Sequence, residues 1–180
     1  VSEEVGKCIR LLELFGLPGI KNLNSYFDEK KLNNFEDLKL INKENQPQKN
    51  TFCPINLGVS FLDQIRTLEK FKHCSFKNIA YPILFLPFLS RASEVIGKKI
   101  IFNFDKNQFL LNFNTSISSN FTQKQCPLIA KDVEINFLDN KDNFSELEWI
   151  NLYKLSEETF VEESESLKEK GAGAGLTDND

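Results

Sequence analysis

Chemistry in this chain of 180 residues has few places to start. His73 is the single histidine. A Ser or Cys triad needs such a residue, and so does any histidine-based acid–base scheme. It lies in KFKHCSFKN, a Lys-rich polar connection with no supporting motif, and reads as an exposed loop histidine. Histidine-dependent chemistry is therefore not expected. Cys53 stands just before Pro54 at a predicted helix start. Backbone N–H groups and the helix dipole there lower a thiol pKa and make a nucleophile. The competing reading is a buried, inert thiol, since Cys is among the most buried residue types. Asp63 sits one position from the apolar stripe of the same helix. It is a candidate general base or arginine partner, against the alternative of a solvated helix-edge carboxylate. Cys53 and Asp63 are thus the catalytic candidates.

Arginine is the more telling residue. Lysine is the default cation of this chain, and arginine occurs only at positions 10, 66 and 91. A retained guanidinium points to a need for its planar fork, which binds carboxylate or phosphate through two parallel hydrogen bonds. Arg91, in LPFLSRASE, borders a strongly apolar stretch and is the leading candidate. Arg10 and Arg66 fall on the polar sides of their helices. A surface salt bridge, worth little, is the alternative for all three.

The chain ends in GAGAGLTDND. This is not a dinucleotide fingerprint, which needs glycine where Leu176 stands, with a strand before and a helix after. Nor is it a phosphate-binding P-loop, because no Gly-Lys-Ser/Thr follows. Glycines at alternate positions permit close backbone approach, so bare N–H groups can line an anion. Asp178 and Asp180 offer oxygen ligands. Arg91, Gly171, Gly173, Gly175, Thr177, Asp178 and Asp180 form the candidate ligand-binding set. The sequence names no metal and no cofactor. A flexible tail or a linker-like scar competes with this reading.

Composition bounds the rest. The chain is 41% hydrophobic and 27% charged, with 17 Phe and no Met. The core is expected to be aromatic-rich, and the chain to be processed, trimmed or a fragment. Its net charge is −4, concentrated in residues 156–180. A near-neutral body with an acidic end argues against nucleic acid, which requires a basic patch. The longest apolar run, IAYPILFLPFL, is too short to span a bilayer and contains two prolines. The four cysteines show no metal-binding spacing, and reduced thiols in the cytoplasm are the simplest reading.

The elements that must hold these residues are legible. SEEVGKCIRLLELFGLPG is a helix with a stripe of Val5, Cys8, Ile9, Leu12 and Phe15, ended by Gly16 and Pro18. Short helices are expected near Asn24–Phe27 and Phe35–Leu40, and NKENQPQKN as a mobile polar loop. Pro54 opens a helix burying Ile55, Gly58, Val59, Leu62 and Ile65. Another runs from about Leu86 to Ile96, with Phe88, Leu89, Ala92, Val95 and Ile96 inward. KKIIFNFDKNQFLLNF reads as a hairpin over 99–113 with a four-residue turn, pairing Phe104 with Phe109 and Phe102 with Leu111. Residues 133–138 supply a third strand, and Ser145 caps a last helix. Together they predict an α+β fold, with helices packed on a small antiparallel sheet. One domain is expected over 1–161, followed by an acidic, Gly-rich segment over 162–180.

The blocks SEEVGKCIRLLELFGLPG, CPINLGVSFLD, YPILFLPFLSRA and GAGAGLTDND together resemble an uncharacterised bacterial family, defined only as a domain of unknown function. Members of that family close with Gly-Ala-Gly-Ala-Gly, then Leu, Ser or Thr, then Asp-Asn-Asp. In that family a further helical stretch precedes the point where this chain begins, so the resemblance implies an N-terminal truncation. It also implies that the terminal motif belongs to the protein, and it supplies no activity. Glu162 and Glu163 stand where the family has a Pro-containing segment. The resulting expectation is a cytoplasmic protein that binds a small anionic metabolite, as an enzyme or a binding protein. The alternative is a non-catalytic subunit whose tail docks on a partner protein.

Overall fold

The computed structural model describes residues 2–113, 115–122, 126–139, 141 and 143–159. The chain divides into two units, residues 1–140 and 141–180. In the first unit, α1 (Ser2–Leu14) buries Leu12 and rests Val5, Cys8, Ile9 and Phe15 against the core. Gly16 takes φ 68°, and the Leu17 N–H donates to the Leu12 carbonyl at 2.8 Å, which closes the helix end. The Glu13 side chain then accepts the Ile20 N–H at 2.8 Å, satisfying a free donor in the first turn of α2 (Gly19–Lys30). That helix is much longer than the short one expected.

The helix expected near Phe35–Leu40 is absent. The Glu36 N–H donates to the Thr51 carbonyl and its carbonyl accepts the Cys53 N–H, so this backbone is paired as a strand bridge. The loop expected to be mobile carries β1 (Glu44–Asn45), which lies parallel to β2 (His73–Ala80). The buried Asn45 amide secures it, donating to the Ser75 and Asn42 carbonyls. His73, expected in an exposed loop, opens β2 half-buried, with Nδ1 3.0 Å from Asn136 Oδ1. Cys74 and Phe76 alternate into the core.

Helix α3 (Pro54–Leu68) starts at Pro54 and buries Ile55, Gly58 and Ile65 as expected. Its buried arc is rotated, however: Leu57, Phe61 and Leu68 are inside, while Val59 is 39% exposed. The helix touches both the sheet and a neighbouring helix, so it presents two contact lines rather than one. That neighbour is α4 (Leu86–Ile96), which ends at Gly97 with φ 65°. Val95, expected inward, is exposed, and Ser90 and Ser93 are buried instead. Ser93 Oγ donates to the Lys98 carbonyl at 2.6 Å and accepts the Phe113 N–H at 3.0 Å. Ser90 Oγ donates to the Phe113 carbonyl at 3.1 Å. Small hydroxyls thereby satisfy backbone groups at the end of a strand, which a methyl group cannot do.

Strands β3 (Lys99–Phe104), β4 (Asn107–Asn112), β5 (Ser116–Ser119) and β6 (Ile129–Leu138) complete a six-stranded sheet among the described residues. Its order is β1-β2-β6-β3-β4-β5, and every pair except β1 with β2 is antiparallel. The hairpin turn has two residues, not four: Phe104 pairs with Asn107, Phe102 with Phe109 and Ile100 with Leu111. Asp105 adopts φ 51°, as a tight hairpin turn demands. The slip from the expected register is an even number of residues, so the apolar face is unchanged. Val133, Ile135 and Phe137 of β6 share that buried face. The architecture is therefore α+β, with helices on one face of a mostly antiparallel sheet larger than the three strands expected.

The second unit, taken by itself, holds α5 (Glu146–Glu157). Ser145 caps it: its Oγ accepts the Glu148 N–H, and the Glu148 carboxylate accepts the Ser145 N–H at 2.7 Å. This reciprocal capping box holds the Glu148 pKa below the usual carboxylate value. No helix among the described residues is long and apolar enough to cross a membrane.

Candidate anion-binding groove

Helical periodicity places Pro87, Arg91 and Glu94 on one face of α4, and Lys7, Leu11 and Leu14 on one face of α1, with Arg10 beside them. The two faces line a groove of about 370 Å³. It draws together two of the three arginines, Arg10 and Arg91, with Lys7 and the half-buried thiol of Cys8. Leu11, Leu14 and Pro87 form its apolar side, and Glu94 is the acid in its lining. Lys7 also pairs with Glu3 at 3.0 Å, an exposed contact between residues one helical turn apart. Such a pair is weak and screened by salt. Among the described residues the lining carries three cations and one acid, with Glu3 paired to Lys7 beside it.

The other sequence-derived candidates lie elsewhere. Asp63 is exposed on α3 and is not in the lining of this groove. Cys53 is 2% exposed, immediately before α3, with Sγ 3.2 Å from the Tyr26 hydroxyl. Tyr26 is itself packed between Phe35, stacked at 5.2 Å, and the edge of Tyr81 at 6.1 Å. Burial, and then the contact with Cys53, push the Tyr26 pKa well above its usual value. The Tyr81 hydroxyl donates to Glu29 at 2.7 Å, and desolvation with that carboxylate raises its pKa too. Both phenols therefore remain protonated hydrogen-bonding groups. Burial pushes the Cys74 and Cys126 thiols up to about 11, which suppresses the thiolate at neutral pH. Gly171, Gly173, Gly175, Thr177, Asp178 and Asp180 lie outside the described residues. Among those described, no group of three or more His, Cys, Asp or Glu side chains is placed to hold a metal ion.

The sequence did not single out Lys7, and it ranked Arg10 below Arg91 because Arg10 falls on the polar side of its helix. The one available signal was the scarcity of arginine, and it pointed to Arg91 first. Which second arginine would join it depends on how α1 crosses α4, and no local pattern encodes that.

Residues 1–53 match the model of a family described as a protein of unknown function, DUF3726. The match takes in α1, α2 and the strand bridge up to Cys53, at the level of an uncharacterised domain family. No curated protein matches the chain, and no solved structure does.

Proposed function

We propose that the protein binds a small anionic metabolite in the groove between α1 and α4. The observation that carries this reading is the convergence of Arg10, Arg91 and Lys7 on one concave surface, in a chain where arginine is rare. The guanidinium groups take the carboxylate or phosphate through paired N–H donors. Leu11, Leu14 and Pro87 accept a short apolar part of the ligand, and Glu94 accepts a hydroxyl or ammonium hydrogen from it. The site offers binding and orientation. Electrostatic stabilisation would fall to arginine and any acid–base step to a carboxylate rather than to imidazole.

Calorimetric titration of the full chain with inorganic phosphate, pyrophosphate and short dicarboxylates tests the reading. A binder that stabilises only the native state also raises the melting temperature. Arg91→Ala is expected to weaken the best binder by about 10- to 100-fold, the worth of charge-assisted hydrogen bonds. Arg91→Lys is expected to recover only part of that loss, because the fork is gone. Removal of residues 171–180 measures what the glycine-rich segment adds to the same affinity. An anion that binds equally well to Arg91→Ala and Arg10→Ala defeats the proposal.

A second reading, a non-catalytic subunit that docks on a partner protein, draws on α5. Leu147, Trp149, Ile150, Leu152, Tyr153 and Leu155 are all exposed and point to every side of this helix. Large apolar side chains on every side of an exposed helix are suited to contact with another protein. Failure of the whole anion panel would favour this reading.

A further inference from the structure

Glycine inside a helix carries an entropic penalty, so one that persists there calls for a reason. Gly58 has one, because an added Cβ would lie 2.3 Å from the Phe88 ring. Gly6, in the middle of α1, does not: an added Cβ would meet nothing within 4 Å. It faces a cleft of about 650 Å³ between α1, α2 and the start of α3. This volume is within the range of about 300–1,000 Å³ common to small-molecule sites.

The walls of the cleft are mostly apolar. Val5 and Ile9 flank Gly6 on α1, Leu23 and Phe27 come from α2, and Ile55 from the first turn of α3. Tyr26 also lines it, held in place by Phe35 and by its contact with Cys53. Among the described residues the charged group of the lining is Lys30, whose ammonium lies 5.7 Å from the Tyr26 ring centroid, and its polar neighbour is Asn56, whose amide donates to Asp37 at 2.7 Å. A largely hydrocarbon surface with a cation at its end and open space over Gly6 is complementary to an amphipathic anion.

We propose that this cleft binds a medium-chain carboxylate, with the hydrocarbon over Gly6 and the carboxylate at Lys30. The hydrocarbon replaces water against Val5, Ile9, Leu23 and Phe27, which is the driving force. Lys30 selects the anionic head over a neutral or cationic one. This site is separate from the groove between α1 and α4 and does not depend on it.

The test is calorimetric titration of the full chain with decanoate, with decanol and decyltrimethylammonium as head-group controls. Decanoate is expected to bind saturably at one site. Gly6→Ala improves helix propensity without filling the cleft and is expected to keep that binding, with an unchanged or higher melting temperature. Gly6→Phe places a ring in open space, so it is expected to fold and to lose decanoate binding by at least about tenfold. Lys30→Glu should weaken decanoate by about tenfold or more, the worth of a hydrogen-bonded charge, and leave decanol unaffected. Absence of saturable binding to the full chain overturns the proposal, as does decanoate bound equally well by Gly6→Phe. Binding that survives Gly6→Phe but falls with Arg91→Ala also overturns it, and assigns the carboxylate to the groove between α1 and α4.

Discussion

Glu36 shows how one side chain organises a polar stretch. Its carboxylate accepts the backbone N–H groups of Gln48 at 2.7 Å, Asn50 at 2.6 Å and Lys49. The Asn50 bond, then the Gln48 bond, hold its pKa below the ordinary glutamate value of 4.5. A depressed folded-state pKa means that the stabilisation is fully present above the unfolded value. It is lost as pH falls through the folded value, so the window lies on the acid side of 4.5. The protection factors of the amides at residues 48–50, taken against the intrinsic exchange rate at each pH, are therefore expected to hold from neutral pH to mild acid and to collapse below it. Glu36→Ala should expose the same amides already at neutral pH and abolish the acid step. Unchanged protection in the variant would show that the stretch is held by something else.

At the scale of elements, the contact between α3 and α4 rests on Gly58. A Cβ there would meet the Phe88 ring at 2.3, 2.4 and 2.9 Å, well inside van der Waals contact. Gly58→Ala gains helix propensity of about 1 kcal/mol, but it must displace a large ring in a packed interface. Overpacking of this kind costs roughly 1–3 kcal/mol, so net destabilisation is expected. Phe88→Leu in the same background should recover part of the loss, since the two changes share one contact. Denaturant midpoints for the single and double variants check this. An increase in stability on Gly58→Ala alone would mean that the helices can separate at no cost.

At the scale of the molecule, the first unit is organised about Phe85. Its ring meets Phe61, Phe76 and Phe102 edge to face, at 5.6, 6.1 and 5.9 Å. These partners belong to α3, β2 and β3, so one side chain links helix and sheet layers. Phe85 is 0% exposed. Truncation to alanine is expected to cost about 3–5 kcal/mol, a large share of the roughly 5–15 kcal/mol that holds a domain folded. Chemical denaturation should show that loss as a single cooperative shift. A variant that loses helix while keeping the sheet would show that the two layers fold separately.

The sequence alone determined the pieces governed by local physics. Gly16, Pro18, Pro54 and Gly97 set helix ends because positive φ and a missing N–H act within a turn. Alternating Phe and Ile in 99–104 selected the buried face, and an even register error left that face intact. The α+β class followed, because an apolar sheet face requires a cover. Tertiary structure decided what depends on residues distant in the chain. β2 was hidden in HCSFKNIA, where lysine and asparagine interrupt the alternation, and it forms because β6 is inserted between β2 and β3. The groove exists because α1 crosses α4 and brings Arg10 to Arg91. That crossing is set by side-chain packing among several elements, and neither arginine has a local signature of it.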